Sequence, residues 1–293
     1  MKEIVKKILE KENIQYTNIQ KATSGFTNIV YFVDNMVIKI AKEDVTNKKL
    51  EKEISIYKSV LLDNIPKYIS SGKMDKYTYL IISKIKGSSL YSIWHTLNNE
   101  QREKCIAQIA NILKVFNGQN TEFLSDEDRI TNWEENVLDK LNTNVQGLEK
   151  LGIDIGRIKM FVDENIDLFK DNVFGLVYND AHFDNFLYDD GTLYLIDFDR
   201  VMYAPIDYEM LIFKTMVDNP SKFASEQDED NVFDEDFKEI YDWFKRYYPK
   251  MFNICNIDKR IKIYQFNYLC NQALTMKNRG VGDGWAKELA EWF

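Results

Sequence analysis

The chain has 293 residues, 45% hydrophobic and 14% aromatic, enough to bury a sizeable core in one large domain or two lobes and too apolar for disorder as the default. Its formal net charge of −9 is split: residues 1–85 carry 15 Lys and no Arg against 10 acids, residues 86–293 carry 23 basic against 37 acidic residues. That split argues against nucleic acid as a main partner and suits an anionic ligand on the first part and a cationic one on the second, or a solvated surface alone.

No apolar run approaches bilayer length, and no apolar signal core opens the chain, so no membrane partner is expected. Cys105, Cys255 and Cys270 are scattered without metal-type spacing, which suits a reducing cytoplasm. Nothing specifies an oligomer, and a monomer is expected.

Residues 2–13 place Ile4, Val5, Ile8 and Leu9 on one helical face. Strands are then predicted over 19–23, 28–33 and 36–41, an antiparallel meander whose first turn is Ser24-Gly25-Phe26-Thr27. Backbone N–H groups of a small Gly turn can approach phosphate oxygens, although such a turn is usually only a turn. Lys39 interrupts the apolar run Val37-Ile38-Lys39-Ile40. A Lys on a third strand that pairs with a Glu on the next helix is a kinase arrangement; an edge-strand charge is the simpler alternative. The helix is predicted over 47–61, with Glu53 as the partner and Glu51 as the weaker candidate. Two more strands, 65–69 and 78–85, flank a turn at Ser71-Gly72-Lys73. Residues 83–87 then form a connection in which backbone groups of Ser83 and Ile85 can bind a purine edge.

From Ser88 the pattern turns helical, over 101–116, 132–141, 157–169, 237–247 and 259–275. One stretch breaks it. Val177 to Asp199 holds two polar clusters, Asp180/His182/Asp184/Asn185 and Asp197/Asp199, joined by two β-rich segments around Asp189-Asp190-Gly191-Thr192. The hairpin brings both clusters to one end. An Asp, four intervening residues and an Asn, then Asp-Phe after a hairpin, is kinase catalytic-loop spacing: Asp180 as base, Asn185 and Asp197 as hard oxygen ligands for Mg2+.

These residues together resemble the aminoglycoside phosphotransferase and choline kinase group, small-molecule kinases that share the protein-kinase fold. The resemblance spans roughly residues 20–215, through Ser24-Gly25-Phe26-Thr27, Lys39, Glu53, the connection to Gly87, the loop Asp180-Ala181-His182-Phe183-Asp184-Asn185 and Ile196-Asp197-Phe198-Asp199. It implies an α+β, bilobal protein-kinase-like fold. Residues 1–86 would form a nucleotide-binding lobe with a five-stranded antiparallel sheet, and 87–293 a mainly helical catalytic and acceptor lobe. It implies Ser24, Gly25, Thr27, Lys39, Glu53, Ser83 and Ile85 at ATP or GTP, and Asp207 as a structural support of the catalytic loop. Tyr178 departs from the His common at its position, and Phe183-Asp184 from Pro-Gly.

The ten acids between Asp218 and Asp242, against Lys222 and Lys238, suit a cationic acceptor, an aminoglycoside first. The C-terminal aromatics Tyr264, Phe266, Tyr268, Trp285 and Trp292 suit a choline- or ethanolamine-type amino alcohol as the alternative. A nucleotide-binding protein without turnover is a third reading.

Overall fold

The structure is a computed structural model describing residues 1–22, 28–42, 44–149, 156–225 and 227–278. Its first part runs α1 (Lys2–Lys11), β1 (Ile19–Lys21), β2 (Asn28–Val33), β3 (Met36–Ala41), α2 (Asp44–Ser59), β4 (Tyr68–Met74) and β5 (Tyr77–Ser83). The five strands form one antiparallel sheet in the order β1-β2-β3-β5-β4. Strand alternation sorts the side chains by face. Ile38, Ile40, Tyr79 and Ile81 pack under Val5, Ile8 and Leu9 of α1, while Ala41, Leu80 and Ile82 join Leu50, Ile56 and Tyr57 of α2. Lys39 shares the α2 side. Because β3 is central rather than an edge, the edge-charge alternative for Lys39 falls away.

The turn expected at Ser71-Gly72-Lys73 is instead strand: β4 continues to Met74, and Asp75-Lys76 makes the turn with Asp75 at φ 54°. Gly72 marks a close approach, since a Cβ there would lie 2.8 Å from the Tyr79 hydroxyl, which donates to Glu12.

The rest comprises β6 (Ser88–Ser89), α3 (Leu90–Trp94), α4 (Asn99–Asn117), α5 (Trp133–Glu149), α6 (Gly156–Asn165), β7 (Phe174–Val177), β8 (Phe186–Asp189), β9 (Thr192–Leu195), β10 (Met202–Pro205), α7 (Met210–Asp218), α8 (Ile240–Tyr247) and α9 (Ile257–Asn278). The expected helices are present, but the strands exceed one hairpin: β7 pairs with β10, and β6 extends the β8–β9 hairpin. Asp190 (φ 47°) and Gly191 (φ 84°) form the tight turn that the Asp-Gly pair signalled. One core cluster runs from α2 through α4 to the hairpin, α7 and α8; a second lies between α5 and α9. Among the described residues no helix is long and apolar enough to cross a membrane.

Candidate active site

The Lys39 ammonium lies 2.6 Å from Glu53 Oε1 and 3.1 Å from Asp197 Oδ1, joining β3, α2 and the segment after β9. Glu51 faces outward to Lys73 at 3.0 Å. Burial pushes Lys39 toward losing its proton, but Asp197 and Glu53 outweigh this and hold it charged. Burial also raises Glu53, to about 7, with Lys39 opposing.

The second cluster forms at the mouth of the β8–β9 hairpin. The Asn185 amide donates to the Asp180 carbonyl at 2.9 Å and to its Oδ2 at 3.1 Å, and contacts His182 Nε2 at 3.0 Å. Asn185 C=O accepts from Ile196 N–H at 3.0 Å, which sets Asn185 beside Asp197. Arg200 Nη1 lies 3.3 Å from Asp180 Oδ1. Burial raises the Asp180 pKa, but the His182, Arg200 and Asn185 contacts more than offset it, leaving a carboxylate below its ordinary range. Asn179 (φ 59°) and Asp197 (φ 65°) both sit in the left-handed region, a backbone arrangement that costs about 1–3 kcal/mol and recurs at functional sites.

The supports of this loop come from distant elements. Tyr178, in place of His, donates through its hydroxyl to the Ile196 carbonyl at 2.5 Å and stands edge-on to Phe198. Asp207 does not support the loop as expected; it is buried against Arg260 (2.8 and 3.0 Å) and Tyr264 (3.0 Å). Glu209 does so instead, accepting from the N–H groups of Tyr178 (2.6 Å) and Asn179 (3.1 Å) and from Asn117 (3.2 Å). Glu209 sits only two positions beyond Asp207, and the two acids alternate with apolar residues in Ile206-Asp207-Tyr208-Glu209-Met210, so nothing local chooses between them. Arg200 was legible only as the cation next to Asp199.

A magnesium ion fits the donor chemistry at Asn185 and Asp197. The Asn185 amide nitrogen is committed to the loop, which leaves its oxygen as a ligand, and Asp197 is 46% exposed with one oxygen on Lys39 and the other open. Among the described residues no group of three His, Cys, Asp or Glu could hold a metal. Two protein oxygens completed by phosphates and water are a common magnesium arrangement.

At the connection, Ser83 N–H is committed to the Lys67 carbonyl at 2.9 Å, so Ser83 has no N–H for a base. Ile85 N–H and C=O have no intramolecular hydrogen bond among the described residues. Gly87 is held close to β8; a Cβ there would lie 2.3 Å from the Tyr188 carbonyl oxygen. Ser24, Gly25 and Thr27 lie outside the described residues, as do Trp285 and Trp292. Beyond Asp180, a cavity of about 450 Å³ opens between α5, α7 and α9, with Asn179 and Arg200 on its wall.

Three comparisons bear on this arrangement. Residues 18–248 match the model of the phosphotransferase enzyme family. No curated protein sequence matches the chain. Among solved structures, a GDP and kanamycin complex of an aminoglycoside phosphotransferase of the 2″ class is 16% identical at a TM-score of 0.73, covering 98% of this chain and 96% of that one. A streptomycin and ATP ternary complex of another 2″-class enzyme is 16% identical at 0.66, covering 99% and 94%. A choline/ethanolamine kinase family protein from Mesorhizobium loti is 13% identical at 0.61, covering 99% and 92%. With the family match extending across the sheet, the loop from Asp180 to Asn185 and helices α5 and α7, the chain belongs to the phosphotransferase enzyme family, on a protein-kinase-like α+β fold.

Proposed function

We propose that the chain moves the γ-phosphoryl group of ATP or GTP to a hydroxyl of a small molecule, with residues 1–86 as the nucleotide lobe and 87–293 as the catalytic and acceptor lobe. The observation that carries this reading is the meeting of Lys39, Glu53 and Asp197 on one side and Asp180 with Asn185 on the other, across the Ile196–Asn185 hydrogen bond.

The roles follow from the charges. Lys39, held protonated, binds the phosphates, and Glu53 keeps its ammonium aimed. Asn185 and Asp197 would hold magnesium, which when bound offsets charge on the β- and γ-phosphates. Asp180 orients the acceptor hydroxyl and takes its proton as the oxygen–phosphorus bond forms and the β–γ bridge breaks. A carboxylate below its ordinary pKa suits this, since phosphoryl transfer passes through a loose transition state that needs positioning more than strong base. Ile85 offers its backbone N–H and C=O to the base of the nucleotide, with Ser83 limited to its carbonyl. Ser24, Gly25 and Thr27 belong to the same proposal, through backbone N–H groups that would approach the phosphate oxygens.

An aminoglycoside acceptor is supported by the kanamycin and streptomycin of two related structures, and choline, ethanolamine or another amino alcohol, as the alternative, by the family name of the third. Magnesium-supported nucleotide turnover against aminoglycosides, amino alcohols, sugars and hydroxy acids tests the reading. Turnover is expected to rise with an acceptor, and Asp180→Ala to reduce transfer by about 10²–10⁴-fold while nucleotide binding persists. Undiminished transfer by Asp180→Ala would remove Asp180 from its role, and nucleotide binding that no acceptor converts to turnover would favour a binding protein.

A further inference from the structure

The cavity between α5, α7 and α9 lies where an acceptor must sit to reach Asp180, because Arg200 lines it and contacts that carboxylate at 3.3 Å. Its charged lining is Lys140, Arg200 and Asp139, the last exposed at the rim. Arg200 has Asp180 as its partner. Lys140 has no carboxylate within ion-pair distance among the described residues; its ammonium lies 3.4 Å from the Tyr208 hydroxyl and 5.6 and 5.2 Å from the Trp133 and Tyr208 ring centres. Burial lowers the Lys140 pKa with no carboxylate to restore it.

Those rings are firmly set. Trp133 Nε1 donates to Tyr264 at 2.9 Å, and Tyr264 donates to Asp207, which Arg260 grips with two bonds. The ammonium therefore stands on a rigid aromatic floor. The acids that suggested a polycation are elsewhere: among the described residues, none of 218–242 lines the cavity. Asp218 faces Lys214 and Gln265, Asp236 pairs with Arg102 at 2.6 Å, and Glu235 with Lys238 at 3.2 Å.

We propose that this cavity holds the acceptor by an oxyanion, a carboxylate or phosphate ester, against Lys140, and so presents a hydroxyl of the same molecule to Asp180. The inference rests on the kinase reading, which makes the cavity the acceptor site, and it replaces the ammonium-bearing acceptor that the related structures suggest with an anionic one. An ammonium-rich acceptor would meet like charge at both Lys140 and Arg200, whereas an oxyanion supplies the partner that Lys140 lacks and can also accept from the Asn and Gln amides of α9. The simpler alternative is that the Lys140 stem covers the rings and its head is only solvated.

Calorimetric titration separates the two with matched compounds on two frames: glucose, glucosamine, glucuronate and glucose 6-phosphate, and glycerol, aminopropanediol, glycerate and glycerol 3-phosphate, with kanamycin as the polycation. An anionic member is expected to bind about tenfold or more tighter than its neutral and ammonium counterparts. That preference is expected to vanish in Lys140→Gln and return in Lys140→Arg, and which anion wins separates carboxylate from phosphate. Equal or tighter binding of the ammonium member or kanamycin, a preference that survives Lys140→Gln, or no binding of any anionic member overturns the inference. Transfer of labelled γ-phosphoryl to the bound compound is read separately, so a preference without transfer counts against the kinase reading and not against the oxyanion site.

Discussion

Glu209 shows how one carboxylate ties the site to the stability of the chain. Burial raises its pKa to about 7, against hydrogen bonds from Tyr178 and Asn179 N–H and the Asn117 amide. A carboxyl raised above its ordinary 4.5 takes up a proton on folding, so its contribution to stability is full below pH 4.5 and is lost as pH rises through about 7. The melting temperature is therefore expected to fall, from Glu209, between about pH 4.5 and 7. Glu209→Gln should flatten that slope while lowering stability by about 1–3 kcal/mol through mismatched donors. A slope unchanged in Glu209→Gln, followed by calorimetry, would assign the titration elsewhere. At this scale the sequence was most legible where a polar residue interrupts an apolar run. Lys39 within β3 and Asp197 after β9 stood out for that reason. Arg200 and Lys140 did not, because nothing local distinguishes a cation that faces a cavity from one that faces water.

At the scale of elements, the site depends on how α2 and the β8–β9 hairpin meet. Lys52 of α2 reaches Asp128 at 2.8 Å and the Val201 carbonyl at 3.0 Å, and Lys49 reaches Asp199 at 3.5 Å, so the helix that carries Glu53 is tied to both the α4–α5 connection and the segment after Asp197. The Asn64 carbonyl, beyond α2, accepts from Leu195 N–H at 2.8 Å. On the other side, Gly87 lets the connection run against β8, and β6 pairs there. Gly87→Ala places a methyl into the Tyr188 carbonyl. It is expected to lower stability by about 1–3 kcal/mol and to weaken nucleotide binding by displacing Ile85. Urea unfolding and nucleotide titration check both parts, and a variant as stable as wild type would mean that β6 shifts without penalty. Helices α4, α5 and α9 were legible from their periodicity. The pairing of β7 with β10 was not, since four-residue strands separated by more than twenty residues leave no repeating pattern.

The whole molecule couples ligand and stability through the seam that Lys39 crosses. Because Lys39 joins the sheet to Asp197, a magnesium nucleotide bound there adds its binding energy to the folded state, about 2.7 kcal/mol at a concentration one hundred times Kd. Wild type is expected to melt higher with magnesium and nucleotide than with nucleotide and a chelator. Asp197→Ala should lose most of the magnesium-dependent part while still melting cooperatively, and an undiminished magnesium effect would place the metal elsewhere.

The sequence by itself determined the five antiparallel strands, the mainly helical remainder, and the order and spacing of Lys39, Glu53, Asp180, Asn185 and Asp197. Strand alternation, helical spacing and polar interruption are local, and each is written within a few residues. Only the tertiary structure decided which charges meet: Glu53 on Lys39 with Glu51 outside, Glu209 rather than Asp207 under the loop of Asp180 and Asn185, Asp236 on Arg102 rather than on a ligand, and Lys140 facing the cavity with no carboxylate beside it among the described residues. Those outcomes depend on distances of a few ångströms between segments up to more than a hundred residues apart, where the Coulomb term and the burial of each group are set. Composition counts charges, and only the fold sets which of them have partners.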